Sequence, residues 1–225
     1  MNCIKRVGVA LLLGFAAIAA QAQVNDEEAL GLLKEGNKRF CTNQMVHQHQ
    51  DAETLKTLVE GQHPFAVVIS CSDSRVTPEI IFDQGLGDIF SIRTAGNVMA
   101  DFEEGSVEYA VDHLHTHLVV VLGHTHCGAI KAFLETKDEH QHHVCDHGHV
   151  QSILDKLDSE PEEKDVLSEK GADLYNQAIR ANVSNGVRQL RESDPMLSKM
   201  YKEHQINIVG AIYNIESGEV EFMNI

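Results

Sequence analysis

Four short apolar runs, rich in Val and Ile, most constrain what this chain can fold into. None of them alternates between apolar and polar residues, and they cover residues 65–70, 88–93, 118–123 and 206–213. Such runs are typical of strands that are buried on both faces of a parallel sheet. Helical stretches lie between them, at residues 103–113, 129–136 and 173–191. This alternation predicts an α/β domain with right-handed crossovers and helices on both faces of the sheet.

Both ends of the domain add elements to this pattern. A Ser217-Gly218 turn links the fourth run to residues 220–222, which predicts a hairpin and therefore an antiparallel last strand. At the other end, residues 27–40 are amphipathic and residues 54–59 form a second short helical stretch. We expect this N-terminal helical arm to pack on the sheet or on a neighbouring molecule. Residues 23–225 are predicted to form a single domain, with a polar, His-rich insertion loop at 137–149.

The first 22 residues have the features of a secretory signal peptide. Lys5 and Arg6 precede a small, apolar stretch at 7–20, and the small-x-small pattern Ala20-Gln21-Ala22 follows it. The apolar stretch is too short to span a bilayer as a stable helix, so we expect no membrane contact in the mature form. Cleavage near Ala22 predicts a periplasmic or secreted protein, and the alternative is a retained N-terminal helix.

Charge and cysteine content narrow the function classes. The chain has 225 residues and a formal net charge of −16, which argues against binding nucleic acid or anionic membranes. Four cysteines remain after cleavage, an even number that is compatible with disulfides in an exported protein. A mature chain of this length forms a full core without such bridges. The redox state of Cys41 and Cys145 therefore stays open.

Two motifs at predicted strand ends indicate a metal site. The first, Cys71-Ser-Asp73-Ser-Arg75, ends the first strand, and the second, His124-Thr-His-Cys127-Gly128, ends the third. In a parallel sheet both lie at the carboxyl edge, where α/β proteins place their ligands. Two sulfurs and one imidazole suit Zn²⁺, and three protein ligands leave the fourth position that a catalytic site requires.

These motifs together resemble the signature of the β-class carbonic anhydrases. The segments Phe82-Asp-Gln-Gly85 and Arg93-Thr-Ala-Gly-Asn97 are also similar to that family, so the resemblance covers nearly the whole mature chain. It implies a four-stranded parallel sheet with an antiparallel fifth strand, and a homodimer that often pairs into a homotetramer. It also implies that Cys71, His124 and Cys127 bind Zn²⁺.

The family's reaction is the reversible hydration of carbon dioxide to bicarbonate and a proton. Zinc lowers the pKa of its bound water from about 16 to about 7, and the resulting hydroxide attacks carbon dioxide. Asp73 is close enough to Cys71 to accept a hydrogen bond from that hydroxide, and Arg75 can clamp Asp73 with its two-pronged guanidinium. If the clamp fails, Asp73 becomes the fourth zinc ligand in a closed, inactive state.

Matching to the family also suggests substrate-binding residues. Gln62, nine residues before Cys71, corresponds to a side chain that bonds substrate across the dimer interface. The resemblance also implies that the backbone N–H of Gly128 faces the substrate. It implies further that an apolar pocket is lined by Phe90, Ala95 and Tyr109.

The chain departs from a subset of the family at Val68. That subset has Trp three residues before the first ligand Cys, within a bicarbonate-inhibition site, whereas this chain has no Trp. We therefore expect the open, active form. His126 occupies a place where it could relay protons.

Histidines are numerous outside these motifs. Those around Cys145 are His140, His142, His143, His147 and His149. This loop could capture Zn²⁺ or Cu²⁺, act as a proton buffer, or be solvated without a function. A second group, at positions 113, 115 and 117, is predicted at a helix end, where a cationic His complements the helix dipole.

Two other functions stay open from the sequence. The same fold could hydrolyse carbonyl sulfide or carbon disulfide. A non-catalytic zinc-buffering protein is the second alternative, and it would need Asp73 locked onto the metal; the presence of Asp73, Arg75 and Gln62 argues against it. Turnover rate, physiological direction and the choice of dimer or tetramer also stay open.

Overall fold

A computed structural model describes residues 24–137, 148–168 and 173–225. The predicted signal peptide and residues 138–147 of the His-rich loop lie outside the described residues. No helix within the described ranges is both long and apolar enough to cross a membrane.

Five strands form one sheet. They are β1 (Ala66–Cys71), β2 (Ile89–Thr94), β3 (Leu118–His124), β4 (Asn207–Tyr213) and β5 (Val220–Phe222). Their order is β2-β1-β3-β4-β5, with the first four strands parallel and β5 antiparallel to β4. The predicted α/β fold, with four parallel strands and an antiparallel fifth strand, is confirmed.

The strands differ in burial, which corrects one prediction. Every residue of β1 and β3 is buried, as expected for the centre of a parallel sheet. In β2, however, Ser91 and Arg93 are exposed. The prediction that this run is buried on both faces is wrong, because β2 is an edge strand and the face that carries these two residues is left partly uncovered.

Nine helices occur in the described ranges. They are α1 (Asp26–Cys41), α2 (Ala52–Thr57), α3 (Pro78–Ile81), α4 (Asp101–Asp112), α5 (Gly128–Lys137), α6 (Val150–Ser159), α7 (Pro161–Ser168), α8 (Leu174–Glu192) and α9 (Leu197–Lys202). Short 3₁₀ turns cover Leu58–Glu60 and Ala95–Asn97. Four of the helices, α3, α6, α7 and α9, had no counterpart in the predictions. These helices are short, with at most ten residues each.

Helices cover both faces of the sheet, as predicted. On one face, α4, α5, α6, α8 and α9 pack against alternate strand residues such as Val67 and Val121. On the other face, Ala29 and Leu33 of α1 pack against Val68 and Leu122. Helix α1 of the predicted arm therefore packs on the sheet. Helix α2 buries no residue.

Candidate active site

Three buried side chains meet where β1 and β3 end. Cys71 is the last residue of β1, His124 is the last residue of the adjacent β3, and Cys127 lies in the turn before α5. One donor atom from each, two sulfurs and a ring nitrogen, lies within 4.8 Å of the others. All three residues are at most 5% exposed. The parallel register of β1 and β3 thus unites motifs that are about fifty residues apart.

The ring of His124 is oriented as a metal ligand requires. Its Nδ1 lies 2.8 Å from the carbonyl oxygen of Thr125, and because a carbonyl can only accept, Nδ1 carries the proton. Its Nε2 is buried and has no hydrogen-bond partner among the residues that the structure describes. An unpaired buried acceptor of this kind is destabilising unless something binds its lone pair. A backbone carbonyl on the other ring nitrogen is a common arrangement around zinc-binding histidines.

The sulfurs of Cys71 and Cys127 affect each other's ionisation. Their interaction, against the effect of burial, lowers the pKa of Cys71, and together with burial it raises the pKa of Cys127. A divalent cation bound to both sulfurs would stabilise both thiolates. Zinc bonds of about 2.3 Å to sulfur and about 2.0 Å to nitrogen would fit three donors this close together. The residues present therefore fit Zn²⁺.

Backbone groups around Cys71 favour its thiolate. Its Sγ accepts from the N–H of Asp73 at 3.4 Å and from the N–H of Gly96 at 3.3 Å. Gly96 has φ of +70°, and a Cβ there would lie 2.8 Å from the Cβ of Ala129. Its carbonyl accepts from the side-chain amide of Asn182 in α8 at 2.8 Å. Gly96 belongs to a segment that resembles the family, but no role was predicted for it, since nothing local links it to a sulfur 25 residues away.

Asp73 and Arg75 form a two-pronged ion pair beside the three ligands. Arg75 donates from Nε to Oδ1 at 2.9 Å and from Nη2 to Oδ2 at 2.7 Å, and its backbone N–H adds a third bond at 3.0 Å. The side-chain bonds to Arg75 lower the pKa of Asp73 to about 2. Arg75 Nη2 also lies 3.2 Å from the carbonyl oxygen of His126. One guanidinium thus joins the turns after β1 and β3.

A second arginine holds the backbone of the first motif. Arg93 donates from Nε to the carbonyl of Cys71 at 3.3 Å and from Nη2 to the carbonyl of Asp73 at 2.8 Å. These bonds fix the turn that carries Asp73. No role was predicted for Arg93, although it is the first residue of a segment that resembles the family.

The predicted substrate-binding residues occupy several elements. Phe90 of β2 and Tyr109 of α4 lie together, with ring centroids 6.2 Å apart. Ala95 is half-buried in the 3₁₀ turn after β2, and Gly128 is the exposed first residue of α5. Gln62 is exposed in the connection between the Leu58–Glu60 turn and β1. Its predicted role depends on a second copy of the chain.

The other residues singled out in the sequence lie in several parts of the fold. Val68 is fully buried in β1 on the face covered by α1. His126 is exposed, has φ of +59°, and places Nε2 3.1 Å from Oε1 of Glu216. His113 caps the C-terminus of α4 as predicted, whereas His115 and His117 lie beyond the helix, in the connection to β3.

Tyr175, in the first turn of α8, contacts the second motif and was not predicted from the sequence. Its hydroxyl donates to the carbonyl oxygen of Cys127 at 2.7 Å. Burial raises the pKa of Tyr175 to about 12, so the hydroxyl keeps its proton at neutral pH. A tyrosine 48 residues from the motif that it contacts gives no signal in the sequence.

The sequence is similar to those of known carbonic anhydrases. A family model described as carbonic anhydrase matches residues 66–220. A carbonic anhydrase of Mycolicibacterium smegmatis is 38% identical over 198 residues, which cover 88% of this chain and 93% of that protein. A carbonic anhydrase of Synechococcus elongatus is 33% identical over 199 residues, covering 84% of this chain and 69% of that protein.

Solved structures agree with these sequence matches. The β-carbonic anhydrase CcaA superposes with a TM-score of 0.67 at 29% identity, covering 86% of this chain and 94% of that one. The β-carbonic anhydrase CafA of Aspergillus fumigatus superposes with a TM-score of 0.65 at 29% identity, covering 88% and 91%.

Proposed function

Since the chain belongs to the β-carbonic anhydrase family, whose general reaction is carbon dioxide hydration, we propose that it performs this reaction with Zn²⁺ held by Cys71, His124 and Cys127. One observation supports the proposal most directly. The Nε2 of His124, which is buried and has no partner in the described part of the chain, lies with the two sulfurs in a group within 4.8 Å of one another. Among the described residues, this is the only such cluster of three potential ligands.

The chain's own residues have distinct parts in the proposed reaction. Bound zinc would supply hydroxide at neutral pH by lowering the pKa of a coordinated water. The ionised carboxylate of Asp73 accepts a hydrogen bond from the attacking group and so orients it. Arg75 holds Asp73 in place through two parallel bonds, which fix its direction as well as its charge.

The state of Asp73 supports catalysis over metal storage. A zinc-buffering protein would use the Asp73 carboxylate as a fourth ligand. Here Arg75 engages both carboxylate oxygens, and Asp73 is not part of the three-residue ligand cluster. These contacts support the proposal that the protein adopts the open form, which Val68, in place of Trp, leads us to expect.

A stopped-flow assay of carbon dioxide hydration tests the proposal. Chelator-treated enzyme should be inactive, and one zinc per chain should restore the rate. Cys71→Ala should abolish zinc binding and activity, whereas the matched variant Cys41→Ala, at an exposed cysteine away from the site, should retain both. A wild-type protein without a zinc-dependent rate at alkaline pH would overturn the proposal. Hydrolysis of carbonyl sulfide or carbon disulfide in its place would assign the alternative substrate.

We further propose a homodimer that brings Gln62 to the active site of the second copy. Large apolar side chains are exposed near Gln62, with Leu55 58% and Val59 77% accessible. Exposed apolar groups of this size in one short segment are typical of an interface. The double variant Leu55→Glu, Val59→Glu should sediment as a monomer and lose activity. Val150→Glu, at an exposed valine on α6, is the matched control and should change neither.

The export proposal rests on residues 1–22 alone. N-terminal sequencing of the protein recovered from the cell envelope or the medium should find a chain that begins near residue 23. Recovery of an uncleaved chain from the cytosol would contradict this proposal without affecting the zinc site.

A further inference from the structure

Tyr175 contacts the peptide unit that joins the last zinc-ligand candidate to α5. Its hydroxyl lies 2.7 Å from the carbonyl oxygen of Cys127, and its ring packs against the core on the α8 side of the sheet. The phenol is therefore held by packing at one end and by a hydrogen bond at the other. Tyr175 also lies within the electrostatic influence of Asp73 and Arg75.

The geometry of the peptide bond links this contact to the N–H of Gly128, the group that is predicted to face the substrate. The carbonyl of Cys127 and the N–H of Gly128 belong to one planar unit and point in opposite directions. Fixing the carbonyl therefore fixes the N–H. As the first residue of α5, Gly128 has an N–H without an intrahelical acceptor, at the positive end of the helix dipole.

The same carbonyl accepts a second bond. The backbone N–H of Lys131 lies 3.0 Å from it, so both lone pairs of the Cys127 oxygen are used. Hydrogen bonds in a chain polarise one another, and two bonds to the carbonyl make the N–H at the other end a stronger donor. Helix α5 supplies one of these bonds, and Tyr175 supplies the other.

The residue that carries this donor is open to solvent. Gly128 is exposed, and a Cβ built there meets no atom of the described residues within 4 Å. The neighbouring Cys127 places the donor one residue from the proposed metal site.

We propose that Tyr175 is a positioning residue, which orients and polarises the Cys127–Gly128 peptide so that the Gly128 N–H binds an oxygen of bicarbonate. The inference rests on the proposed function and adds a residue that binds neither metal nor substrate. Its effect is on the affinity for bicarbonate, not on that for zinc.

The variant Tyr175→Phe tests the inference, because it keeps the ring and removes only the hydroxyl. We expect one zinc per chain, as in the wild type. The KM for bicarbonate dehydration should rise about fivefold to tenfold with a smaller change in kcat, which corresponds to the loss of about one net hydrogen bond. Bicarbonate titrated into the cobalt-substituted protein, followed by its visible spectrum, should bind more weakly by a similar factor.

Tyr201→Phe is the matched control. Tyr201 packs against the same core from α9, and its ring lies 4.8 Å below the guanidinium of Arg191, away from the zinc motifs. Loss of the Tyr201 hydroxyl should leave the zinc content, the KM and the bicarbonate affinity measured from the cobalt spectrum at wild-type values.

The outcomes separate the two proposals. A wild type without carbon dioxide hydration overturns the proposed function, and the spectral titration then still measures the effect of Tyr175. A Tyr175→Phe protein with wild-type affinity for bicarbonate overturns the inference. A Tyr175→Phe protein that binds bicarbonate more weakly only because it has lost zinc also overturns the inference. So does an equal loss of bicarbonate affinity in Tyr201→Phe, because Tyr175 would then have only a structural role.

Discussion

Arg75 donates two parallel hydrogen bonds to Asp73 and a third bond to the carbonyl of His126. The ion pair that orients the Asp73 carboxylate is thereby also a link between the two turns that carry the zinc-ligand candidates. Holding Asp73 away from the ligand cluster and holding the two turns together depend on the same guanidinium.

Replacement of Arg75 by Lys should distinguish the effect of the positive charge from the effect of the hydrogen-bond geometry. A lysine keeps the positive charge but cannot form two parallel bonds to Asp73 and also reach His126. We expect kcat/KM for carbon dioxide hydration to fall roughly 100-fold, as small misplacements of a catalytic group can do. Zinc content should not change.

The control for this variant is Arg180→Lys. Arg180 pairs with Glu221 on the surface between α8 and β5, so its replacement should leave the rate unchanged. An Arg75→Lys protein with wild-type kcat/KM would show that charge alone is sufficient.

Gly96→Ala should weaken both stability and metal binding. The residue has φ of +70°, and an added Cβ would lie 2.8 Å from Ala129, so the N–H that binds Cys71 must move. We expect a loss of about 1–3 kcal/mol in the free energy of unfolding and a higher Kd for zinc. Chemical denaturation and competition with a chelator measure the two effects.

Gly105→Ala provides the contrast in the same protein. Gly105 lies within α4 and is exposed, and no atom of the described residues lies within 4 Å of an added Cβ. Alanine there should stabilise the protein by about 0.5–1 kcal/mol. Equal effects of the two substitutions would contradict the role assigned to Gly96.

Two buried carboxyl groups at the junction of α6 and α7 should make stability depend on pH. Glu163 is fully buried, and within the described ranges its carboxyl has no hydrogen-bond partner. Burial, reinforced by Glu160 and Glu162, raises the pKa of Glu163 to about 8. Burial also raises the pKa of Glu160 to about 8. Between the ordinary carboxyl pKa and 8 the native state binds more protons than the unfolded state, so the free energy of unfolding falls as pH rises.

Glu163→Gln should remove its share of this pH dependence. The free energy of unfolding of the variant should be close to that of the wild type near pH 4.5 and higher by up to about 3 kcal/mol above pH 8. Chemical denaturation across this pH range measures the difference. Glu162→Gln should have the opposite effect. Burial alone would raise the pKa of Glu162, but its hydrogen bonds from Arg188 lower that pKa. Because the charged carboxylate is the stabilised form, neutralising Glu162 should destabilise the protein. If Glu163→Gln raised the free energy of unfolding by the same amount at every pH, ionisation of the buried Glu163 would not explain the pH dependence.

The strand–helix order and the ligand set could be predicted because both are local in sequence. The runs around Val68 and Val120 are continuous and apolar, and they are central strands in the structure. The same pattern failed for β2, where Ser91 and Arg93 are exposed, since a sequence does not state which strand lies at an edge. Short helices such as α7 were not predicted because tertiary packing stabilises them more than their own periodicity does.

Which atoms are available for a metal ion follows from the sequence, since Cys71, His124 and Cys127 follow strands whose carboxyl ends share one edge. How those atoms are held depends on contacts that exist only in the folded protein. The N–H of Gly96 on the Cys71 sulfur and the hydroxyl of Tyr175 on the Cys127 carbonyl each join residues at least 25 positions apart. Contacts of that separation arise from the packing of α8 and of the β2 edge against the sheet, and no local pattern in the chain encodes them.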